Sequence, residues 1–253
     1  MDVRGLDEGF EQDGFRVRAE WGESGVDMLA GNCTVLVVVD VLSFSTTVDL
    51  AVGRGARILP VGNGDDLDIA ADGERARAGG AVVVARSRAE WRPSVVAGAT
   101  AGTTLVVSSP NGATLCTRAA GREAVVLAGC LRNAGAVARR AVGLAGNGAI
   151  GVVPAGERWG SRSGPLRPSV EDFLGAGAIV AALRGLGMSP VSPEAELAAT
   201  AFLGTAEVPR AIAECVSGRE LAAHANSDDV VLAGQVGVGS AAPRLVAGVF
   251  RGD

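Results

Sequence analysis

Four apolar, β-branched segments recur along the chain, and each is followed by polar residues and then by a Gly/Ala-rich stretch. They occupy residues 34–39, 103–107, 124–127 and 149–153. None alternates between apolar and polar positions, which is typical of strands buried on both faces of a parallel sheet. The loops that follow such strands share one edge of the sheet, where ligands bind. The pattern therefore predicts a three-layer α/β/α fold with a mainly parallel sheet and one cleft at that edge.

The residues between these segments predict helices and further strands. Helices are expected at 44–53, 65–77, 112–120, 133–144 and 170–186, one or two at 193–217, and one that runs into a loop at 219–232. Further strands are expected at 15–21, where alternation indicates an edge strand, and at 56–61, 81–85 and 245–250. No low-complexity linker interrupts the chain, so residues 1–253 are expected to form a single domain, with no readable boundary between subdomains.

The composition excludes several kinds of chemistry. All 23 basic residues are arginine, and His224 is the single histidine. Without lysine there is no Schiff-base nucleophile and no P-loop, and one histidine cannot form a multi-histidine metal site. The four cysteines are scattered, which fits reduced thiols. A bound metal would need mostly oxygen ligands, which favours Mg²⁺, and a bound phosphate would need arginine, backbone N–H groups or helix N-termini.

The charge and the apolar runs bear on partners and location. A net charge of -5 argues against general nucleic-acid binding. No apolar run approaches the roughly 20 residues that span a membrane, and the acidic N-terminus lacks a signal-peptide pattern. The sequence thus indicates a cytoplasmic protein that binds neither nucleic acid nor membrane. It does not determine the oligomeric state, and a homo-oligomer is one of the alternatives.

Asp40 directly follows the first apolar segment, where a carboxylate can act as a nucleophile or hold Mg²⁺. It can equally cap the next helix, and position alone leaves the two interpretations even. Ser43, Ser45, Thr46 and Thr47 come next. Hydroxyls and free N–H groups at a helix start form an anion site. Because an ordinary N-cap needs one hydroxyl, four of them favour anion binding.

The polar residues after the other three segments are ambiguous when each is taken alone. Asn111 and Gly112 allow a positive φ, so that N–H groups can face a ligand, although a plain turn explains them as well. Asn133 can contact a ligand or cap its own helix. Glu157 and Arg158 follow the fourth segment, where arginine can bind a phosphate bidentately or form a surface ion pair.

Two acidic residues open the helix expected at 170–186. Ser169 and Asp172 have the spacing of a capping box, which leaves the acidity of Glu171 unexplained. Two acids at a helix start beside the cleft can instead hold a metal. His224 would have to serve any Ser–His–Asp triad, but the chain has no G-x-S-x-G motif, so His224 is expected on a surface helix.

Four motifs, taken in order, resemble the 2-phosphosulfolactate phosphatases of coenzyme M biosynthesis. They are DVLSFSTT at 40–47, SPNG at 109–112, GCLRNAGAVA at 129–138, and GERW at 156–159 followed by RPSVEDFLGAGAIV at 167–180. Each motif is short, but all of them stand in order at predicted strand ends, and the match runs from about 34 to 186. The chain departs from the family pattern at 85–100, at 235–243 and at Ser43, where many members have arginine.

The resemblance implies an α/β fold and a Mg²⁺-dependent phosphatase that removes phosphate from a small sulfonated acid, giving sulfolactate. Residues that fall on motif positions, together with the hydroxyl and turn residues above, define the expected site. Asp40 and Arg158 are expected to be catalytic. Substrate binding is expected from Ser45, Thr46, Asn111, Gly112, Asn133 and Glu157, and metal binding from Asp40, Glu171 and Asp172. The alternative is a non-catalytic protein that binds an anionic metabolite in the same cleft.

Overall fold

The computed structural model describes residues 10–62, 82–84, 91–160, 164–224 and 226–252. The strands are β1 (Val17–Ala19), β2 (Val35–Val39), β3 (Arg57–Val61), β4 (Val82–Val84), β5 (Thr104–Ser108), β6 (Val125–Gly129), β7 (Ile150–Pro154), β8 (Glu157–Arg158), β9 (Leu166–Arg167), β10 (Arg244–Val246) and β11 (Val249–Arg251). The helices are α1 (Gly22–Leu29), α2 (Phe44–Gly53), α3 (Pro93–Val96), α4 (Gly112–Ala120), α5 (Ala134–Ala145), α6 (Val170–Gly185), α7 (Pro193–Gly204), α8 (Val208–Glu214), α9 (Val216–Ala223) and α10 (Ser227–Ala233).

Nine of these strands form one sheet in the order β1-β7-β2-β6-β10-β11-β3-β5-β4. The pairs β1–β7, β7–β2 and β2–β6 are parallel, as are β3–β5 and β5–β4. β8 and β9 form a separate antiparallel hairpin. The predicted α/β fold with a mainly parallel sheet is therefore confirmed.

Two hydrophobic cores lie on opposite faces of the sheet, and β2 contributes to both because all five of its residues are buried. Val35, Val37 and Val39 pack into the core that α5, α6 and α7 cover. Leu36 and Val38 pack into the core that α1, α2 and α4 cover. An exposed face would need polar residues at every second position, so double burial explains the uninterrupted apolar run.

The C-terminal segment differs from the single strand that was predicted at 245–250. It folds into the antiparallel hairpin β10–β11, which turns at Ala247 (φ 50°) and Gly248 (φ 80°). The hairpin lies in the middle of the sheet, where β10 pairs antiparallel with β6 and β11 pairs antiparallel with β3. As a consequence β3, β5 and β4 run opposite to β2, β6 and β7.

This reversal corrects the expectation that all four polar clusters share one edge because their strands are parallel. The strands β2, β6 and β7 are parallel and end at the same edge, whereas β5 runs in the opposite direction. Neighbouring strands rotate by about 20–25°, so the four steps from β2 to β3 turn the two halves of the sheet steeply against each other. The segment after β5 still reaches the carboxyl end of β2, where the N–H of Gly112 donates to Asp40.

Most other predicted elements are present. The region 193–217 contains α7 and α8, whereas 219–232, predicted as one helix entering a loop, contains the end of α9 and then α10. The edge strand expected at 15–21 is β1, although all three of its residues are buried. The helix predicted at 65–77 lies outside the described residues. No helix in the described part of the chain has the length and hydropathy needed to cross a bilayer.

Candidate active site

Asp40 lies directly after β2 and is only 6% exposed. One carboxylate oxygen, Oδ1, accepts a hydrogen bond from the N–H of Phe44 at 3.2 Å. The other, Oδ2, accepts one from the N–H of Gly112 at 2.8 Å. Phe44 and Gly112 are the first residues of α2 and α4. The N-termini of two helices therefore converge on this carboxylate.

The convergence of two helix N-termini sets the electrostatics of the site. The first N–H groups of a helix have no partner within it, and the peptide dipoles place partial positive charge at the same end. Both effects favour negative charge, as on a carboxylate or a phosphate group. The positive ends of both helices therefore lie beside Asp40, where they suit an anionic group.

The hydroxyls that follow Asp40 support its loop from inside the protein. Ser45 and Thr46 are fully buried. The Ser45 hydroxyl accepts from the N–H of Asp40 at 3.0 Å and donates to the carbonyl of Val38 at 3.2 Å. The Thr46 hydroxyl donates to the carbonyl of Val41 at 2.8 Å. These contacts fix the turn after β2. They do not test the expected contact of both hydroxyls with a substrate, which remains a prediction.

Gly112 is the close contact on which the position of Asp40 depends. A methyl group at this residue would lie 2.6 Å from the Phe44 ring and 2.7 Å from Asp40 Oδ2. We therefore expect Gly112→Ala to displace Asp40, to lower stability by about 1–3 kcal/mol and to lower kcat by roughly 10²-fold. Phosphate release and urea unfolding would measure the two effects.

The matched control for this glycine is Gly121→Ala at the other end of the same helix. Gly121 is exposed, and a methyl group there would have its nearest contact at 3.7 Å. Equal kcat values for the two variants would contradict the role assigned to the close approach at Gly112.

Asn111 and Glu157 connect two loops beside Asp40. The Asn111 side-chain amide donates to Glu157 Oε2 at 3.0 Å. Glu157 is half-buried in β8, which follows β7 after a tight turn at Gly156 (φ 69°). The polar groups after β5 and after β7 are thus in direct contact, although they are 46 residues apart in sequence.

Asp172 lies in the first turn of α6 and is 4% exposed. Its Oδ1 accepts from the N–H of Val41 at 2.7 Å. Its Oδ2 accepts from the N–H of Gly156 and from the Ser169 hydroxyl, both at 2.9 Å. Burial, together with the nearby carboxyl groups of Asp40 and Glu171, raises the pKa of Asp172 well above its usual value. Asp172 therefore lies close enough to Asp40 and to Glu171 to be repelled by each of them.

Glu171 lies beside the thiol of Cys215. Burial raises the pKa of the Cys215 thiol to about 12, and the adjacent Glu171 carboxyl contributes to the shift. Glu171 is 3% exposed, so this acid is enclosed between the start of α6 and the start of α9. It contributes to the acidic character near Asp40 and packs against the segment that begins at Cys215.

The contacts above form a closed path, which we call the hydrogen-bonded ring. It consists of segments 40–41, 111–112 and 156–157 together with Asp172. Within it, the expected residues Asp40, Asn111, Gly112, Glu157 and Asp172 lie side by side. The ring also includes the backbone N–H groups of Val41, Gly112 and Gly156, which leave no side-chain signal in the sequence.

Arg158 and Asn133 are, with Ser45, Thr46 and Glu171, the expected residues that lie outside the ring. The Arg158 guanidinium pairs with Glu23 of α1 and donates to the carbonyl of Gly164 at 3.4 Å. Asn133 is fully buried; its side-chain oxygen accepts from the N–H of Cys130 at 2.8 Å, and its amide donates to the carbonyl of Ala128 at 3.3 Å. Both are engaged with the protein itself, and their catalytic and binding roles remain predictions.

The described residues contain no group of three or more His, Cys, Asp or Glu side chains arranged to hold a metal ion together. A separate cleft of about 170 Å³ lies between β1, β7, α6 and α7. It is lined mainly by apolar residues, with Trp21 and Phe173 among them, and its charged residues are Glu20 and Glu194. The described residues that line this cleft include no basic residue that could bind an anionic substrate. The two helix N-termini that meet at Asp40 make its surroundings the candidate active site.

Comparison with known proteins gives two matches over most of the chain. The sequence model of a family described as 2-phosphosulpholactate phosphatase matches residues 26–248. A Deinococcus radiodurans protein named "Probable 2-phosphosulfolactate phosphatase" is 30% identical over 223 residues, which cover 85% of this chain and 88% of that protein. The stretch that the family model matches includes the whole hydrogen-bonded ring.

Proposed function

The chain belongs to the 2-phosphosulpholactate phosphatase family, and on that premise we propose that it hydrolyses the phosphate ester of a small anionic acid in the cytoplasm. The candidate substrate is 2-phosphosulfolactate, and the products would be sulfolactate and inorganic phosphate. The observation that supports this proposal is the buried carboxylate of Asp40, which receives the first N–H groups of α2 and α4. A positioned carboxylate in a positive electrostatic environment suits the hydrolysis of a phosphate ester.

Catalysis in this proposal rests on charge stabilisation at the convergence of the two helices. Phosphoryl transfer moves negative charge within the phosphate group, and N–H groups that are already in place stabilise it without reorganisation. Asp40 either attacks phosphorus or holds the metal, and both roles fit its position. Arg158 would neutralise phosphoryl oxygens in the family pattern. Its guanidinium would then have to leave Glu23 and bind the substrate.

Mg²⁺ is the cofactor that we propose, and its fit can be tested against the donor set. Asp40, Glu171 and Asp172 are buried carboxyl groups. Burial, followed by repulsion from Asp40 and Glu171, raises the pKa of Asp172, and a divalent cation would relieve that repulsion. Mg²⁺ commonly uses one or two carboxylates and completes its octahedron with water and substrate phosphate oxygens. The acids present therefore fit Mg²⁺ in this mode. When bound, it would neutralise charge on the phosphoryl oxygens.

Phosphate release with and without added Mg²⁺ tests the proposed function. Suitable substrates are 2-phosphosulfolactate, the analogue with carboxylate in place of sulfonate, and 2-phospholactate, which lacks that second acid. We expect turnover of 2-phosphosulfolactate with Mg²⁺, with at least a tenfold loss of kcat/KM when the sulfonate is removed, since a charged contact contributes about 1.5–3 kcal/mol. After exhaustive EDTA treatment we expect no turnover, and added Mg²⁺ should restore it.

Two outcomes would contradict parts of the proposal separately. Full activity after EDTA treatment, with no metal returned, would rule out the Mg²⁺ requirement and leave the phosphatase intact. Binding of the phospho-acids without release of phosphate under any metal condition would favour the alternative, a protein that binds an anionic metabolite on this fold.

A further inference from the structure

Asp172 departs from the capping box that its spacing with Ser169 predicts. In a capping box the serine hydroxyl accepts from a helix N–H group, but Ser169 makes no such bond at the start of α6. Its hydroxyl instead donates to Asp172 Oδ2 at 2.9 Å. The Asp172 carboxylate is therefore directed away from its own helix and toward two neighbouring loops.

The two loops are those that carry Asp40 and Glu157. Val41, whose N–H donates to Asp172 at 2.7 Å, follows Asp40 directly. Gly156, whose N–H donates at 2.9 Å, directly precedes Glu157. One carboxylate thus bridges the backbone at the ends of β2 and β7, and it sets the separation of the other two acidic side chains of the hydrogen-bonded ring, Asp40 and Glu157.

The acceptor capacity of Asp172 is largely used by these contacts. A carboxylate oxygen has about two lone-pair positions, and Oδ2 already accepts from Gly156 and Ser169. Oδ1 accepts from Val41. Coordination of a metal by Oδ2 would break one of two bonds to buried donors and leave that donor unsatisfied. The geometry of Asp172 therefore suits a backbone clamp better than a metal ligand.

We propose that Asp172 is a positioning residue that clamps the Asp40 and Glu157 loops through the N–H groups of Val41 and Gly156, and that it is not a ligand of Mg²⁺. This inference rests on the proposed function for its catalytic consequence. Mg²⁺ would then be held by the remaining carboxylates, substrate oxygens and water. The clamp itself requires neither metal nor substrate, so it can be tested without turnover.

The first test measures the thermal midpoint of metal-free Asp172→Asn. The asparagine amide donates, so at least one of the three donors loses its acceptor, and the clamp predicts a midpoint lowered by roughly 3–10 °C. Removal of the charge also relieves the repulsion that Asp172 receives from Asp40 and Glu171, which opposes this loss. A metal-free midpoint that is unchanged or raised would show that the three bonds hold little and would overturn the proposal.

The second test uses the unaltered protein and so does not depend on whether the variant folds. Amide hydrogen exchange of Val41 and Gly156 is measured with and without saturating Mg²⁺. The clamp predicts that both amides stay protected when Mg²⁺ is present. If Asp172 were a ligand, the metal would draw the carboxylate from these N–H groups, and at least tenfold faster exchange at either amide would overturn the proposal.

The third test separates positioning from general stability. Below its thermal midpoint, Asp172→Asn should lose about 10–100-fold in kcat, with less than a threefold change in the Mg²⁺ concentration that gives half-maximal activity. Ser169→Ala is the matched control, since it removes one donor to the same carboxylate and keeps both loop contacts; it should retain kcat. Unchanged kcat in Asp172→Asn would overturn the positioning role.

If the unaltered protein hydrolyses no phospho-acid, the proposed function fails, while the midpoint and exchange results still decide the clamp.

Discussion

Asp40→Asn is expected to lower kcat by about 10³-fold or more while the protein remains folded. The amide is nearly isosteric with the carboxylate, but it is neither an anionic nucleophile nor a good Mg²⁺ ligand. Both proposed roles of Asp40 therefore predict the same loss. Phosphate release from 2-phosphosulfolactate with Mg²⁺ would measure it.

The expected stability of Asp40→Asn reflects two opposing changes. The amide oxygen can accept from only one of the two N–H groups, Phe44 or Gly112, that the carboxylate serves, which costs about 1–3 kcal/mol. Removal of the charge also relieves the repulsion between Asp40 and Asp172. The net change in the free energy of unfolding should therefore be within about 2 kcal/mol, measured by urea denaturation.

The control for this variant is Asp27→Asn, the same chemical change at a partly exposed carboxylate that pairs with Arg118 and Arg122. It should keep both kcat and stability. If Asp40 serves only as a helix cap, asparagine should replace it well, because Asn and Asp cap about equally. Near wild-type turnover in Asp40→Asn would then remove the centre of the proposed mechanism.

The sequence predicted the strands around the site because their burial leaves a local pattern. β2 was expected at 34–39 and occupies Val35–Val39, since burial on both faces requires an apolar residue at every position. The hairpin at the C-terminus had no comparable pattern. Its turn contains Ala247, which is not a typical residue at positive φ, so 245–250 looked like one continuous strand and Gly248 was the single local signal.

For the candidate site, local chemistry identified side chains and could not identify their partners. Asp40, Asn111 and Glu157 were expected from their positions after strands, and the structure brings them into one ring. Arg158 was expected there by the same reasoning, but its partner Glu23 lies 135 residues away in sequence. Contacts at such separation depend on the order of the strands in the sheet, which places β1 beside β7 and leaves no local pattern in the sequence.

Arg132→Met is expected to have the largest effect on stability, because it breaks a buried ion pair that the sequence did not predict. Arg132 Nε lies 2.9 Å from Asp49 Oδ2, with side-chain exposures of 10% and 3%. Arg132 also donates to the carbonyl of Leu232 at 3.1 Å and to the Gln235 side chain, which ties α2 and the loop after β6 to the C-terminal region. Burial already raises the pKa of Asp49, and the bond from Arg132 opposes the rise.

Without Arg132, the Asp49 carboxylate would remain buried and uncompensated, so the free energy of unfolding should fall by about 3–5 kcal/mol near neutral pH. The pKa of Asp49 in the folded state should then rise further above its unfolded value. The folded state would bind more protons than the unfolded state between these two pKa values, so stability falls as pH rises through that window. Urea unfolding should therefore show a smaller deficit near pH 5 than near pH 8.

Two comparisons distinguish a buried ion pair from the loss of a large side chain. In Asp49→Leu/Arg132→Met no unpaired charge remains, so the double variant should be more stable than Arg132→Met by at least about 1 kcal/mol. Arg210→Met breaks an exposed pair with Glu214, whose side chains are 73% and 63% exposed, and should cost less than about 0.5 kcal/mol. The opposite result would be a double variant less stable than Arg132→Met, together with a loss of unfolding free energy in Arg132→Met that does not depend on pH. It would show that Arg132 acts through packing and its bonds to Leu232 and Gln235 rather than through the charge of Asp49.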